Sequence, residues 1–348
     1  MRILLTGGAG FIGSTLVRKL LDHGHRVHVV DKLTYAGVMA SLTPLMGRVG
    51  FKMTQADILD ARAINSVFAS FRPEAVAHLA AETHVDRSID GPSEFIRTNV
   101  LGTQVLLDAA LAHYKQLDPE AQARFRFLHI STDEVFGALG DEGHFSENSP
   151  YDPRSPYAAS KAASDHLVRA WGNTYGLPVL ISNCSNNYGP RQYPEKLIPR
   201  LILNALRGLP LPIYGDGSNV RDWLYVGDHA EALHLMLTQA HPGSTYCVGG
   251  GTEMSNLDLA HLVCRHLDDL APRSDGRNHV SAIRMVADRP GHDWRYAVCA
   301  ERIKADLGWQ AATRFDLGLR QTVQWYIQNT GWWQPLLDQE LEEISQYG

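Results

Sequence analysis

The chain opens on a short run of leucine and isoleucine, Arg2 to Thr6, followed by Gly7-Gly8-Ala9-Gly10-Phe11-Ile12-Gly13 and then by apolar residues at helical spacing from Ser14 to about His23. This pattern predicts a strand, a glycine turn and a helix. Further strands are predicted at Val27–Val30, from Val49 to Gln55 and from Ala75 to Ala80; another, Phe125 to Ser131, runs apolar as a parallel strand covered on both faces should. Phe95, Ile96, Val100, Leu101, Val105, Leu106, Ala109 and Ala110 predict one long helix from Pro92 to Tyr114. Its apolar arc is wide enough for an oligomer interface or for burial within its own domain. Helices are also expected from Tyr157 to about Tyr175, from about His229 and from Leu257 to Leu270, while Ala138 to Pro156 should be an irregular, solvated loop.

Strands alternating with helices indicate an α/β protein with a doubly wound parallel sheet. At 348 residues the chain exceeds one usual core, which implies two lobes or one domain with an appendage. A net charge of -6 with no basic block argues against nucleic acid or an anionic membrane surface as partner. No apolar run is long enough to span a bilayer and the first residues lack a signal-peptide layout, so a cytoplasmic protein is expected. Cys184, Cys247, Cys264 and Cys299 lie far apart without a CxxC pair, which favours reduced thiols over disulfides or zinc. His261, Cys264 and His266 share one predicted helix but lack a matching ligand elsewhere, and no metal is expected.

The chemistry concentrates in three places. Gly8, Gly10 and Gly13 have the GxGxxG spacing that lets a pyrophosphate approach a helix N-terminus, and Asp31, at the end of the second strand, stands where a carboxylate would accept from a ribose diol. Asp31 favours NAD over NADP, although Lys32 beside it leaves the alternative open. Thr132, Asp133 and Glu134 follow the central strand, at the carboxyl end where ligands bind in such sheets. Neighbours on an ideal strand face opposite ways, so Asp133 and Glu134 can share a substrate only if the chain has left the strand by then. Tyr157 and Lys161, four apart, fall on one helical face, and the ammonium is expected to lower the phenol pKa toward a working base. His84, Asp86 and Arg87 are divided between substrate contact and helix capping.

With Gly7-x-x-Gly10-x-x-Gly13 and Tyr157-x-x-x-Lys161, the sequence resembles the extended short-chain dehydrogenase/reductase family, and within it the sugar-nucleotide dehydratases. The marks of this branch include Ala80 to Ser88, Ser131 to Val135, Asn183 to Pro190, Pro194 to Pro199, Arg221 to Val226 and Asp288 to Asp293. The resemblance implies a Rossmann-type domain at 1–187 with 221–240, and a smaller C-terminal α/β substrate-binding lobe at 188–220 with 241–348. It implies bound NAD, contacted by Gly7, Gly10, Phe11, Ile12, Gly13, Asp31, Lys32, Leu33, Thr34, Asp57, Ile58, Leu79, Ala80, Ala81, Glu82, Thr83, Thr98, Tyr157, Lys161 and Asn187. For a dTDP-glucose substrate it implies contacts from Thr83, Thr132, Asn186, Lys196, Leu197, Pro212, Ile213, Tyr214, Arg221, Asn256, Arg289 and His292. A homodimer is implied, with the helices at Pro92 to Tyr114 and Tyr157 to Tyr175 as its interface. Phe136, Trp294 and a shorter loop before Tyr157 depart from the family pattern.

The implied activity is oxidation at the sugar C4 by Tyr157 with Lys161, loss of water across C5 and C6 with Glu134 as base and Asp133 as acid, and hydride return to C6, in deoxysugar (rhamnose-type) biosynthesis. Thr132 and Tyr157 should both approach the sugar O4. A nucleotide-sugar 4-epimerase would share the tyrosine, the lysine and NAD but has no use for the two carboxyl groups.

Overall fold

The computed structural model describes residues 1–288 and 291–347, with 340–347 described by backbone alone. In chain order its strands are β1 (Arg2–Thr6), β2 (Arg26–Asp31), β3 (Phe51–Gln55), β4 (Ala75–His78), β5 (Arg126–Thr132), β6 (Val179–Cys184), β7 (Asn186–Tyr188), β8 (Leu211–Tyr214), β9 (Val220–Tyr225), β10 (Thr245–Val248), β11 (Glu253–Ser255) and β12 (Ile283–Val286). Seven of these form one parallel sheet in the order β10-β6-β5-β4-β1-β2-β3. The order reverses between β1 and β4, and the crevice outside the carboxyl ends at that point is where such sheets hold ligands.

Both faces of the sheet are covered, which is why its strands read as near-continuous apolar runs. On one face Leu128 and Leu180 pack with Leu16, Leu20, Leu233 and Met236, from the helices Phe11–Asp22 and Val226–Gln239. On the other, Phe127 and Ile181 pack with Ile64, Phe68, Leu106 and Val168, from the helices Ala61–Phe71, Thr103–Tyr114 and Pro156–Tyr175. A separate core joins the helices Leu197–Leu206, Asn256–Leu270 and Phe315–Gln328 beneath the small sheet β11-β9-β7, with β8 and β12 paired beside it. This is the smaller lobe.

Three expectations need correction. The lobe boundary at 241 is misplaced: β10 pairs with β6 in the large sheet, and Ile303 and Trp309 lie buried in that sheet's core, while β9 belongs to the small sheet. Burial of apolar side chains, not position in the chain, decides membership. The helix predicted from Pro92 to Tyr114 is interrupted by a π-helical segment, Ile96–Gly102. The loop from Ala138 to Pro156 is only partly solvated, because Phe145 is buried, forms a bridge with Val298 and packs on Phe136 with ring centroids 5.3 Å apart. The departure Phe136 is thus a core residue, while Trp294 is 41% exposed.

Candidate active site

The turn after β1 is built by what glycine lacks. Gly7 has φ of +73°, and a side chain there would meet the Ala80 backbone nitrogen at 2.6 Å; at Gly13 it would meet the Gly7 carbonyl oxygen at 2.1 Å. The helix Phe11–Asp22 therefore starts hard against the strand and turns its free N–H groups toward the crevice, which fits a pyrophosphate. Asp31 closes the far side. Its two carboxylate oxygens accept from the backbone N–H groups of Ala9 and Leu33, each at 2.8 Å, and burial raises its pKa against those bonds. Lys32 pairs with Asp57 at 2.8 Å, so its charge is already matched and the position suits a ribose diol better than a 2'-phosphate.

At the end of β5 the chain leaves the strand at once, as two neighbouring carboxyl groups serving one substrate require. Thr132 is the last extended residue, and Asp133–Phe136 form a single 3-10 turn. The Thr132 hydroxyl accepts from the Glu134 N–H at 3.3 Å and donates to Asp133 Oδ1 at 3.2 Å. Thr132, Asp133 and Glu134 all line the cleft. Asp133 is 2% exposed, and its Oδ2 is buried without a hydrogen-bond partner. Burial, then Glu134 and Asp222, push its pKa well above the carboxylate range, which favours the neutral acid over the carboxylate.

Tyr157 enters the same cleft from the start of the helix Pro156–Tyr175, capped by Ser155, whose hydroxyl accepts from the Ala158 N–H at 3.0 Å. Burial and the Glu134 carboxylate raise its phenol well above the ordinary value, and a hydrogen bond with Thr132 opposes this. Lys161 lines the same cleft, and its Nζ donates to the Ile130 carbonyl at 2.7 Å. Burial brings Lys161 itself down to about 8.

The chain matches the family described as GDP-mannose 4,6 dehydratase over residues 4–322. A probable dTDP-glucose 4,6-dehydratase of Sinorhizobium fredii (strain NBRC 101917 / NGR234) is 56% identical over 338 residues, covering 97% of this chain and 96% of that one. The chain belongs to the dTDP-glucose 4,6-dehydratase family. Among solved structures, DesIV from Streptomyces venezuelae, a dTDP-glucose 4,6-dehydratase with NAD and TYD bound, superposes with a TM-score of 0.88 at 45% identity, over 97% of this chain and all of the other. The UDP-glucose 4-epimerase of Thermus thermophilus, in complex with NAD, shares the fold with a TM-score of 0.83 at 31% identity, over 94% of this chain and 100% of that one.

In this dehydratase-family chain, the residues expected to hold NAD line one cleft, with one exception: Leu33 packs its side chain against the sheet core and does not line the cleft. The expected substrate residues divide. Thr83, Thr132, Asn186 and Lys196 line the cleft, and Lys196 Nζ donates to the Thr83 carbonyl at 3.2 Å. Leu197, Pro212, Ile213, Tyr214, Arg221, Asn256 and His292 do not line it. Ile213 is 1% exposed and belongs to the lobe core; Tyr214 faces the His292 ring; Asn256 is nearly buried with Oδ1 unpartnered. The Arg221 guanidinium donates to the carbonyls of Val220, Asp293 and Trp294 and lies over the Tyr296 ring, 4.5 Å from its centroid. Arg289 lies outside the described residues.

Sequence reasoning missed the supports. Asn99, on the π-helical segment, is 1% exposed; its amide accepts from the Glu82 N–H and donates to the Glu82 carbonyl and to Ser160 Oγ. It thereby ties the segment after β4 to the helix of Tyr157, and helical periodicity carries no signal for it. Glu195 is a second. It accepts from the Tyr35 hydroxyl and lies 3.5 Å from His84 and 3.7 Å from Arg87, which is stacked over Tyr35. His84 also caps the helix Val85–Asp90. Among the described residues, one group could offer three metal-ligand atoms, His23, Glu231 and His234; it does not line the cleft, and Lys19 holds its Glu231 at 2.7 Å.

Proposed function

We propose that the chain converts dTDP-glucose to dTDP-4-keto-6-deoxyglucose with NAD as resident cofactor, in deoxysugar (rhamnose-type) biosynthesis. The observation that carries this reading is the 3-10 turn that brings Asp133, whose pKa burial raises, and Glu134 into one cleft with Tyr157. Water elimination needs an acid and a base present together, and two neighbouring carboxyl groups in unequal surroundings supply them. The family's fold and the NAD in related structures support the cofactor.

Bound NAD supplies the hydride acceptor for C4, the donor for C6 and a positive charge beside the phenol. The chain's own residues do the rest. Tyr157 takes the O4 proton, with Thr132 hydrogen-bonded to the phenol so that both meet the sugar at that oxygen. A C4 ketone acidifies the C5 hydrogen, Glu134 removes that proton, and Asp133 delivers its own to the departing C6 hydroxyl. A nucleotide diphosphate needs cationic donors, and Lys196, which lines the cleft, is read as one of them, with Tyr214, Arg221, Asn256 and His292 as contacts from outside that lining.

A 4-epimerase would make no use of Asp133 and Glu134. Reaction in deuterated water separates the two: deuterium at C5 of a product lighter by one water supports dehydration, and epimerised sugar without C5 label defeats it. We further place the active form as a homodimer, with Ile89, Ile96 and Leu101, 43%, 53% and 47% exposed, on the contact face. A nucleotide-sugar substrate points to the cytoplasm; no helix among the described residues is long and apolar enough to cross a membrane.

A further inference from the structure

Asp165 is one turn beyond Lys161 on the same helix and is fully buried. No step of the proposed reaction uses it, yet it stands at the centre of the polar network under the site. Its Oδ2 accepts from the hydroxyls of Ser131, at 2.8 Å, and Tyr151, at 2.7 Å, and from the Asn183 amide at 3.3 Å. That same amide donates to the Thr132 carbonyl at 3.1 Å. The carboxylate thus grips the end of β5 at the residues from which the Asp133–Glu134 turn departs. On its other side, His129 Nε2 lies 3.1 Å from Asp165 Oδ1 and 3.5 Å from Lys161 Nζ, a close approach to both, while His129 Nδ1 has no partner.

Lys161 is 4% exposed, and an ammonium buried that deeply is costly without an opposite charge. We infer that Asp165 is a positioning residue whose charge keeps Lys161 an ammonium and whose hydrogen bonds hold the Thr132 end of β5 in place. The inference rests on the reading of Lys161 as part of the oxidation site. The electrostatics agree in direction. Asp165 is the leading influence raising Lys161 against burial; burial pushes Asp165 up, but His129, Lys161 and Tyr151 together hold it below the usual carboxylate value. Burial and Lys161 bring His129 down to about 4, so the imidazole adds no charge and Asp165 carries the negative charge beside Lys161.

Ionisable groups face this pair from every side: His129 on β5, His78 on β4, Cys184 on β6, Tyr151 on the loop before the helix, and Arg169 on the helix itself. Burial pushes the Cys184 thiol up to about 12 and His78 well down, so neither supplies charge near neutrality.

The test is the titration of Lys161, followed by NMR of isotope-labelled lysine in the full chain, with Asp165→Asn against the parent. Loss of the carboxylate should lower the pH at which Lys161 gives up its proton by about one unit, and the alkaline limb of C4 oxidation should move down with it. Asp165→Glu should restore both. Should Asp165→Asn not fold, Tyr151→Phe removes one donor from the carboxylate and should move the Lys161 titration upward by a smaller amount. A Lys161 titration unmoved in folded Asp165→Asn, or in Tyr151→Phe where Asp165→Asn does not fold, overturns the inference. The NMR readout needs no turnover: absence of dehydration in the parent would sink the proposed function and leave this result standing.

Discussion

The Thr132 hydroxyl donates to Asp133 Oδ1 at 3.2 Å while accepting from the Glu134 N–H at 3.3 Å, so one side chain orients the acid and caps the turn that carries the base. Thr132→Val keeps the shape and removes both bonds. Displacement of a reacting group by about 1 Å costs on the order of 100-fold in rate, and kcat should fall by about that factor. Thr132→Ser, which keeps the hydroxyl, should retain most of the activity in the same steady-state assay.

Glu134→Gln should stop elimination while sparing oxidation at C4. The expected signature, read by mass spectrometry after incubation with dTDP-glucose, is loss of the product lighter by water and of C5 deuterium exchange. The near-ultraviolet absorbance of reduced nicotinamide should still rise on mixing. Undiminished product would end the assignment of Glu134 as base.

Asp133 carries a pH dependence whose sign can be worked out. The acid must be protonated to act, so elimination should decline as pH climbs through its raised pKa. Stability follows the same linkage. The folded pKa lies above the unfolded value of about 4, so the contribution of the neutral carboxyl is complete below that value and is lost as pH rises toward the folded pKa. Asp133→Asn should therefore raise Tm above this window, change it little below about pH 4, and lower turnover throughout. Calorimetry across pH tests this, and a Tm difference independent of pH would contradict it.

Gly13→Ala would place a methyl 2.1 Å from the Gly7 carbonyl oxygen and 3.0 Å from Gly8 Cα, both backbone atoms that yield only if the turn moves. The strain should cost roughly 1–3 kcal/mol and weaken NAD binding by about 10-fold or more, measured by calorimetric titration beside a thermal scan.

Much of this site is local in origin, and so it was legible. Gly7, Gly10 and Gly13 act through atoms they lack within one turn, Tyr157 and Lys161 share a face because helices repeat, and the exit of the chain from β5 before Asp133 follows from the demand that two adjacent carboxyl groups meet one substrate. What escaped was non-local. Asn99 depends on a π-helical segment inside an apparently regular helix, Asp165 on a strand 34 positions from it, and Glu195 on a contact with Tyr35 160 positions away.

Residue type and short-range periodicity were enough to set the strand-turn-helix order, the dinucleotide fingerprint and the identity of the proton-carrying side chains. How those groups are charged and aimed came from the folded chain. Burial raised Asp133 and Tyr157 and lowered Lys161, and β10 joined the large sheet because its apolar side chains found cover there. Desolvation and long-range packing arise from what surrounds a residue in space, and spacing along the chain does not encode them.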